Sequence, residues 1–209
     1  MTVKGLGEGQ RAALVISECQ NGITNIGYSF SPLAEQVAAR GIIAKIAELA
    51  ASFRAASLPV VHCLITMPED PSGWTINCVL AARLAKEGKL VTGTRFAAVH
   101  DDLPVQPCDI VSERHHGMSP FTGTMLDATL RRHRIDTVVL AGVSTNVALP
   151  GASTEAVGLG YSVVIAEDCT SGGTADTHQV QISMHLPLIA TVSDSASIRA
   201  AIAAQTEAE

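Results

Sequence analysis

Aromatic side chains are scarce in this chain of 209 residues, because Phe, Tyr and Trp together make up only 3% of it. A core must therefore be built from Ala, Val, Leu and Ile, and a hydrophobic content of 47% is large enough to build one. Charged residues are also few, at 16%, and the net charge is −6. Because the net charge is negative, a nucleic-acid partner is not expected.

The chain also lacks the usual marks of secretion, zinc binding and membrane insertion. It has no signal-peptide pattern, no uninterrupted apolar run of about 18 residues and no Cys-x-x-Cys pair. The cysteines are odd in number and scattered, which favours reduced thiols over a disulfide framework. They are Cys19, Cys63, Cys78, Cys108 and Cys169. We therefore expect a cytoplasmic protein that does not associate with membranes.

Short apolar runs alternate with segments of helical periodicity. The apolar runs predict six strands, at 12–17, 58–65, 109–114, 137–143, 161–168 and 188–193. The predicted helices span 33–56 (which Gly41 could split), 76–87, 124–133, 145–159, 175–185 and 195–204. This alternation implies a mostly parallel sheet covered on both faces. We predict one domain over residues 1–209, a three-layer αβα sandwich with a six-stranded Rossmann-like sheet, in which residues 1–10 form a flexible arm.

Polar residues follow three of the predicted strands. Glu18 follows the first strand, Arg114 and His115 end the third, and residues 144–146 follow the fourth. In an open parallel sheet, ligands bind beyond the carboxyl ends of the strands. A strand, a tight polar turn and a helix N-terminus also aim backbone N–H groups at an anionic ligand group. These residues are therefore the first candidates for a site.

Four ordered blocks resemble those of the isochorismatase-like (cysteine) hydrolases. GVSTNVA at 142–148 resembles the usual GVSTNVC, and GYSVVIAED follows it at 160–168. LVISECQNG at 14–22 resembles LVIDMQNGF, and SERHHGMSPFTGTMLD at 112–127 resembles the block K-x-x-x-S-A-F-x-G-T-x-L-D. The resemblance extends from Ala12 to about Val192, and it implies a small-molecule hydrolase.

The catalytic residues that this resemblance implies are all replaced. In the family, an Asp takes a proton from a Cys, a Lys supports the charge, and the thiolate attacks an amide or a similar carbonyl. Here Glu18 stands at the Asp position and Ala148 at the Cys position. The Lys position falls on Arg114 when counted from the end of the strand, or on His115 when counted back from Phe121. Because Ala148 has no nucleophilic atom, thioester chemistry at that position is excluded.

One branch of the family implies a reaction that needs no thiol. The isochorismatases proper also lack the cysteine and use the carboxylate as a general acid on a vinyl ether. Glu18 would take this acid/base role, with Arg114 or His115 as its cationic partner. The bond that matches Val143–Ser144 is often cis in the family and helps to form an oxyanion site. The predicted substrate-binding residues are Val143, Ser144, Thr145, Asn146, His116 and Phe121.

Other interpretations remain open. The chain could be a catalytically silent binding protein that kept the pocket, because all three departures fall on catalytic positions. A cysteine nucleophile could have moved to Cys19 or Cys169 at the strand ends, although buried thiols of that kind are usually inert. Arg114 could form an ion pair with either Glu18 or Asp168.

No cofactor and no metal are expected. The related nicotinamidases bind a metal through an Asp-x-His loop, and this chain has no such motif after its second predicted strand. The adjacent His115 and His116 alone have poor ligand geometry, and His62, flanked by Val61 and Cys63, is expected to be a core histidine. The resemblance implies a small-molecule substrate or ligand and a homo-oligomer, either a dimer or a tetramer.

Overall fold

The computed structural model of the chain describes residues 3–70, 72 and 74–208. Within them, six strands form one parallel sheet in the order β3-β2-β1-β4-β5-β6. The strands are β1 (Ala12–Ser17), β2 (Val60–Ile65), β3 (Ile110–Arg114), β4 (Thr137–Val143), β5 (Ser162–Ser171) and β6 (Thr191–Ser193). The predicted α/β fold with a six-stranded sheet is confirmed, and the strand order reverses direction between β1 and β4.

Helices connect the strands and cover the sheet. They are α1 (Asn21–Thr24), α2 (Pro32–Arg40), α3 (Ile42–Ala55), α4 (Val79–Glu87), α5 (Leu126–Arg132), α6 (Ala148–Gly158), α7 (Ala175–Val180) and α8 (Ser195–Ala208). The helix predicted over 33–56 is two helices, because Gly41 adopts a φ of 62° and ends α2. Over the described parts of the chain, no helix is both long and apolar enough to cross a bilayer.

Each face of the sheet contributes to its own hydrophobic core. All residues of β1 and β4 are buried, as expected for strands covered on both sides. One core packs α2, α3 and α8 against the sheet around Phe53 and Ile46, and the other packs α5 and α6 around Leu130 and Leu149. Fully burying one side chain of this size contributes about 1.5–3 kcal/mol.

Part of the segment before β1 packs against the sheet. Val3 and Leu6 are buried, and the Thr137 hydroxyl donates a hydrogen bond to the Gly5 carbonyl. These contacts hold residues 3–6 at the amino end of the sheet, whereas residues 7–9 of the predicted arm are exposed. Residues 1 and 2 of the predicted arm lie outside the described residues.

Candidate active site

The carboxyl ends of β1 and β4 meet at the point where the strand order reverses. Ser17 and Gly142 are direct partners in the β1–β4 ladder. Gly142 has a φ of 94°, and a Cβ there would overlap the Ser17 carbonyl oxygen and lie 3.1 Å from Cys19 Sγ. Only glycine therefore lets the two strands approach so closely, and this approach brings Glu18 to the same edge of the sheet as the turn after β4.

Glu18 is held in an uncommon backbone conformation. Its φ is 51°, a left-handed value that few residues other than glycine adopt, and its backbone N–H donates to Cys63 O at 2.8 Å. The Gln20 side chain fixes the chain just beyond it, because its amide bonds both main-chain groups of Ile65 and the carbonyl of Ala97. The Glu18 side chain is 15% exposed.

Arg114 supplies a positive charge directly to Glu18. It is the last residue of β3, is 3% exposed, and donates from Nη2 to Glu18 Oε1. Its Nε donates to Gly117 O at 3.4 Å, whereas its buried Nη1 has no partner among the described residues. Asp168, the alternative ion-pair partner, instead accepts two hydrogen bonds from Ser195. One donor of Arg114 is therefore unused beside Glu18.

His115 is exposed and is turned towards β2. Its Nδ1 lies 3.0 Å from Thr66 O and 3.2 Å from Thr66 Oγ1. Because a carbonyl only accepts, Nδ1 carries the hydrogen and Nε2 has the free lone pair when the ring is neutral. The structure thus joins Arg114, and not His115, to Glu18.

The predicted binding residues His116 and Phe121 differ in their exposure to solvent. His116 is exposed and lies over Gly123, where a Cβ would be 3.0 Å from His116 Nε2. Phe121 is 5% exposed and belongs to the core, with its ring 6.1 Å from that of Tyr161. Phe121 therefore supports the loop from below.

The turn after β4 leaves several backbone donors unused. The Val143–Ser144 peptide bond is cis. Thr145 N–H donates to Ser171 O at 2.9 Å. The N–H groups of Ser144, Asn146 and Ala148 donate to no acceptor in the described part of the chain. Because Ala148 is the first residue of the 11-residue helix α6, this region suits an anionic group.

The sequence did not reveal a second layer behind this turn. Thr145 Oγ1 lies 3.3 Å from His178 Nδ1, and His178 Nε2 lies 3.1 Å from Glu167 Oε1. Glu167 also accepts a hydrogen bond from Arg40 at 2.7 Å. Glu167 lies in the GYSVVIAED block, but no local pattern shows that it faces residues 11 and 127 positions away.

The thiols nearest the site are poorly suited to nucleophilic chemistry. Cys19, Cys63 and Cys169 are each at most 2% exposed. Burial raises the pKa of Cys63 to about 12 and that of Cys169 to about 12, and it raises the pKa of Cys19 further. A thiol that stays protonated reacts slowly. Cys78 and Cys108 are exposed free thiols.

The described residues offer no metal cluster, and the cavity lined by Leu6, Arg134 and Gln205 lies elsewhere. Over residues 3–70, 72 and 74–208, no group of three or more His, Cys, Asp and Glu side chains could hold a metal ion. A cavity of about 1030 Å³ lies at the opposite, amino end of the strands, where Leu6, Arg134 and Gln205 line it. That cavity is therefore separate from Glu18 and the turn.

Comparisons with known proteins show which family the chain resembles. A model of the isochorismatase domain matches residues 12–197. The isochorismatase family protein YecD of Escherichia coli O157:H7 is 30% identical over 183 residues, which cover 86% of this chain and 90% of YecD. The ureidoacrylate amidohydrolase RutB of Methylobacterium radiotolerans is 26% identical, and the match covers 93% of this chain and 81% of RutB.

A solved structure shows the same similarity in three dimensions. An isochorismatase family protein from Desulfovibrio vulgaris superposes with a TM-score of 0.80 at 26% identity. The superposition covers 93% of this chain and all of that one. The residues matched by the family model, 12–197, include all six strands of the sheet.

Proposed function

This chain belongs to the isochorismatase family of hydrolases, and from that membership we propose that it hydrolyses a small molecule without a cysteine nucleophile. Ala148 stands where the family motif has its cysteine, and its methyl group cannot attack a carbonyl. Water is then the nucleophile, and Glu18 is the acid/base that moves its proton.

The observation that carries this proposal is the contact between Glu18 and Arg114 beside the turn after β4. In an amide or a urea, Glu18 takes a proton from water as the water oxygen attacks the carbonyl carbon, and the N–H groups of Ser144 and Ala148 hold the developing oxyanion. Glu18 then gives that proton to the departing nitrogen as the C–N bond breaks. In a vinyl ether, Glu18 gives a proton to the terminal carbon, water adds to the resulting oxocarbenium ion and returns a proton to Glu18, and the hemiketal breaks to a ketone and an alcohol. Acid/base catalysis of this kind contributes about 10²–10⁴-fold, and each oxyanion donor contributes about 10²–10³-fold.

The remaining polar groups are proposed to hold the substrate. Arg114 contacts Glu18 through Nη2 and keeps an unused donor at Nη1, so Arg114 is the cationic partner in this proposal. Val143, Ser144 and Thr145 shape the turn. Asn146 and His116 are exposed and contact the part of the substrate that projects outwards, whereas Phe121 fixes the loop that carries His116. His115 remains the alternative cationic partner.

A substrate screen tests this proposal. The panel contains ureidoacrylate, short amides such as maleamate, and vinyl ethers such as isochorismate, with ammonia or ketone release as the readout. We expect Glu18→Gln to lower kcat/KM by about 100-fold or more. Arg114→Met is expected to cause a similar loss, whereas His115→Gln is expected to cause a small one. A Glu18→Gln protein that worked at the wild-type rate would overturn the assigned role.

A catalytically silent binding protein is the second candidate. The observation that favours it is that all three departures from the family motif fall on its catalytic positions, at Glu18, at Arg114 or His115, and at Ala148. The same panel separates the two candidates when calorimetry measures binding beside turnover. A compound that binds the wild-type protein and is never hydrolysed favours silent binding.

We also propose that the protein is cytoplasmic and forms a homo-oligomer, either a dimer or a tetramer. All five cysteines are free thiols, which suits a reducing compartment. The exposed apolar residues Ile76, Val79 and Leu80, at and just before the start of α4, suit an interface with a second copy. Light scattering of the purified protein tests the association, and a mass equal to that of a single chain would contradict it.

A further inference from the structure

Behind the turn after β4, side-chain hydrogen bonds form a continuous chain. Thr145 is joined to His178, His178 to Glu167, and Glu167 to Arg40. These residues come from the turn, α7, β5 and α2, so the chain links four separate elements. Thr145 is fully buried and His178 is 3% exposed. Nothing in the hydrolysis mechanism above uses this chain.

A bulge in β5 makes this chain of hydrogen bonds possible. Leu140 pairs with Ile165, but Gly142 pairs with Thr170, so β5 contains three more residues than β4 over the same stretch. Glu167 lies in this bulge and is therefore free of the ladder. Arg40 holds the bulge by donating to the carbonyls of Thr170 and Glu167 as well as to the Glu167 carboxylate.

The protonation states of Glu167 and His178 follow from their contacts. Burial alone would raise the pKa of Glu167, but the hydrogen bonds from His178 and Arg40 lower it, so Glu167 is a carboxylate that only accepts. Burial lowers the pKa of His178, and it outweighs the opposing effect of Glu167. The neutral ring therefore carries its hydrogen on Nε2, and Nδ1 accepts from the Thr145 hydroxyl.

This arrangement fixes Thr145 from several sides. Its N–H donates to Ser171 O, and a Cβ at Gly172 would lie 2.7 Å from Thr145 Oγ1. The neighbouring Asn146 accepts a hydrogen bond from Gly173 N–H at 3.1 Å. The turn is therefore held by β5 and α7, while the N–H groups on either side of Thr145 remain without acceptors.

We propose that His178 is a positioning residue that, by fixing the Thr145 hydroxyl, holds the N–H groups of Ser144 and Ala148 where the substrate oxyanion forms. The catalytic meaning of this role rests on the proposed hydrolase function. The positioning itself does not, because it is a statement about the geometry of the free protein.

A second group that joins a histidine, a carboxylate and an arginine provides a matched control. His62 Nε2 lies 3.2 Å from Asp109 Oδ2, which also accepts from Arg54 at 2.7 Å. His62 is as buried as His178, but its Nδ1 has no partner among the described residues. Asp109 precedes β3, so this group lies towards the amino end of the sheet, away from the turn. A substitution at His62 therefore disturbs a similar contact without affecting the site.

Isosteric substitutions separate the two bonds of His178. In His178→Gln, the amide nitrogen replaces Nε2, which keeps the bond to Glu167 and loses the bond to Thr145. In His178→Asn, the amide oxygen replaces Nδ1, which keeps an acceptor for Thr145. Thr145→Val removes the hydroxyl at constant shape, and Thr145→Ser keeps it. His62→Gln is the control.

NMR of the substrate-free protein is the primary test. In the wild type we expect His178 Nε2 to be protonated and Nδ1 to be unprotonated. The amide resonances of Ser144 and Ala148 should shift in His178→Gln and Thr145→Val. They should stay near their wild-type positions in His178→Asn, Thr145→Ser and His62→Gln. Unshifted amides in His178→Gln, or a His178 protonated on Nδ1, would overturn the positioning role.

Kinetics then test its catalytic meaning on any panel compound that is hydrolysed. We expect His178→Gln to lower kcat by about tenfold or more with little change in KM, because an oxyanion exists only in the transition state. His178→Asn should recover most of the rate. Shifted amides in a protein that hydrolyses no panel compound would refute the proposed function and leave the positioning intact. Normal kcat in His178→Gln, together with shifted amides, would refute the catalytic role of the positioning and leave the proposed function intact.

Discussion

Arg114 and Glu18 form an ion pair although 96 positions separate them in the sequence. β2 lies between their strands, so the Arg114 side chain crosses the end of β2 to reach Glu18. With side chains 3% and 15% exposed, neither charge is well solvated. Removing one member of such a pair leaves an unpaired charge and costs about 3–5 kcal/mol.

Arg114→Met should therefore lower the free energy of unfolding by about 3 kcal/mol. The double variant Glu18→Gln/Arg114→Met should recover much of this loss, because neither charge is then left unpaired. Urea denaturation of the wild type, Glu18→Gln, Arg114→Met and the double variant measures the coupling. Glu48 and Arg199 provide the control pair, since they are 64% and 38% exposed and should couple by less than about 1 kcal/mol. Equal coupling in the two pairs would show that the Glu18–Arg114 pair is solvated.

Gly142→Ala should destabilise the protein by about 3 kcal/mol or more. Its φ is unfavourable for alanine, and the added Cβ would overlap the Ser17 carbonyl. Gly158, at the end of α6, has nothing within 4 Å of an added Cβ. Gly158→Ala should therefore be neutral or stabilising by up to about 1 kcal/mol. Thermal unfolding of both variants checks the difference, and similar melting temperatures would refute the close approach of β1 and β4.

Iodoacetamide should modify only the exposed thiols Cys78 and Cys108 in the native protein. At pH 8, a thiol with a pKa of about 12, as at Cys63 and Cys169, is a thiolate in about one molecule in ten thousand. Peptide mass spectrometry after brief treatment locates the label. Rapid labelling of Cys19 or Cys169, with loss of activity, would instead support the relocated nucleophile.

Stability should fall as the pH decreases below about 6.5. Burial lowers the pKa of His62 and His178 below 6.5, despite the opposing carboxylates of Asp109 and Glu167. The unfolded chain then binds more protons than the folded one, so this stability is full above 6.5 and is lost as the pH falls towards the folded values. Each histidine can contribute a slope of at most about 1.4 kcal/mol per pH unit.

Urea denaturation between pH 7 and pH 5 measures this slope. His62→Gln should reduce it, because one of the buried titrating groups is then absent. A wild-type protein whose stability is the same at both pH values would show that these histidines titrate alike when folded and unfolded.

The sequence predicts the sheet well because its strands are simple. β1 and β4 are short runs of apolar residues between polar turns, which is the pattern expected of strands buried on both faces. Boundaries are less predictable where tertiary contacts decide them. β5 extends to Ser171 only because its pairing with β4 resumes after the bulge, at Gly142. Residues 3–6 pack against the sheet because Val3 and Leu6 are buried at its amino end.

The site is predictable only in outline. The rule that parallel strands carry ligands at their carboxyl ends predicts a site at this edge of the sheet, where the structure places Glu18, Arg114 and the turn. It does not choose between Arg114 and His115, because two counting frames fit the sequence and only side-chain direction separates them. His178 was not a candidate, since its contacts with Thr145 and Glu167 depend on the bulge in β5.

Hydrolysis by Glu18 without a thiol is tested most directly by intact-protein mass spectrometry combined with turnover measurements. Wild-type and Glu18→Gln proteins, alkylated beforehand at their exposed thiols, are mixed with each compound of the panel. We expect the wild type to release product with no covalent adduct, and Glu18→Gln to be slower by about 100-fold or more. A covalent acyl adduct during turnover, or an unchanged rate in Glu18→Gln, would contradict the account.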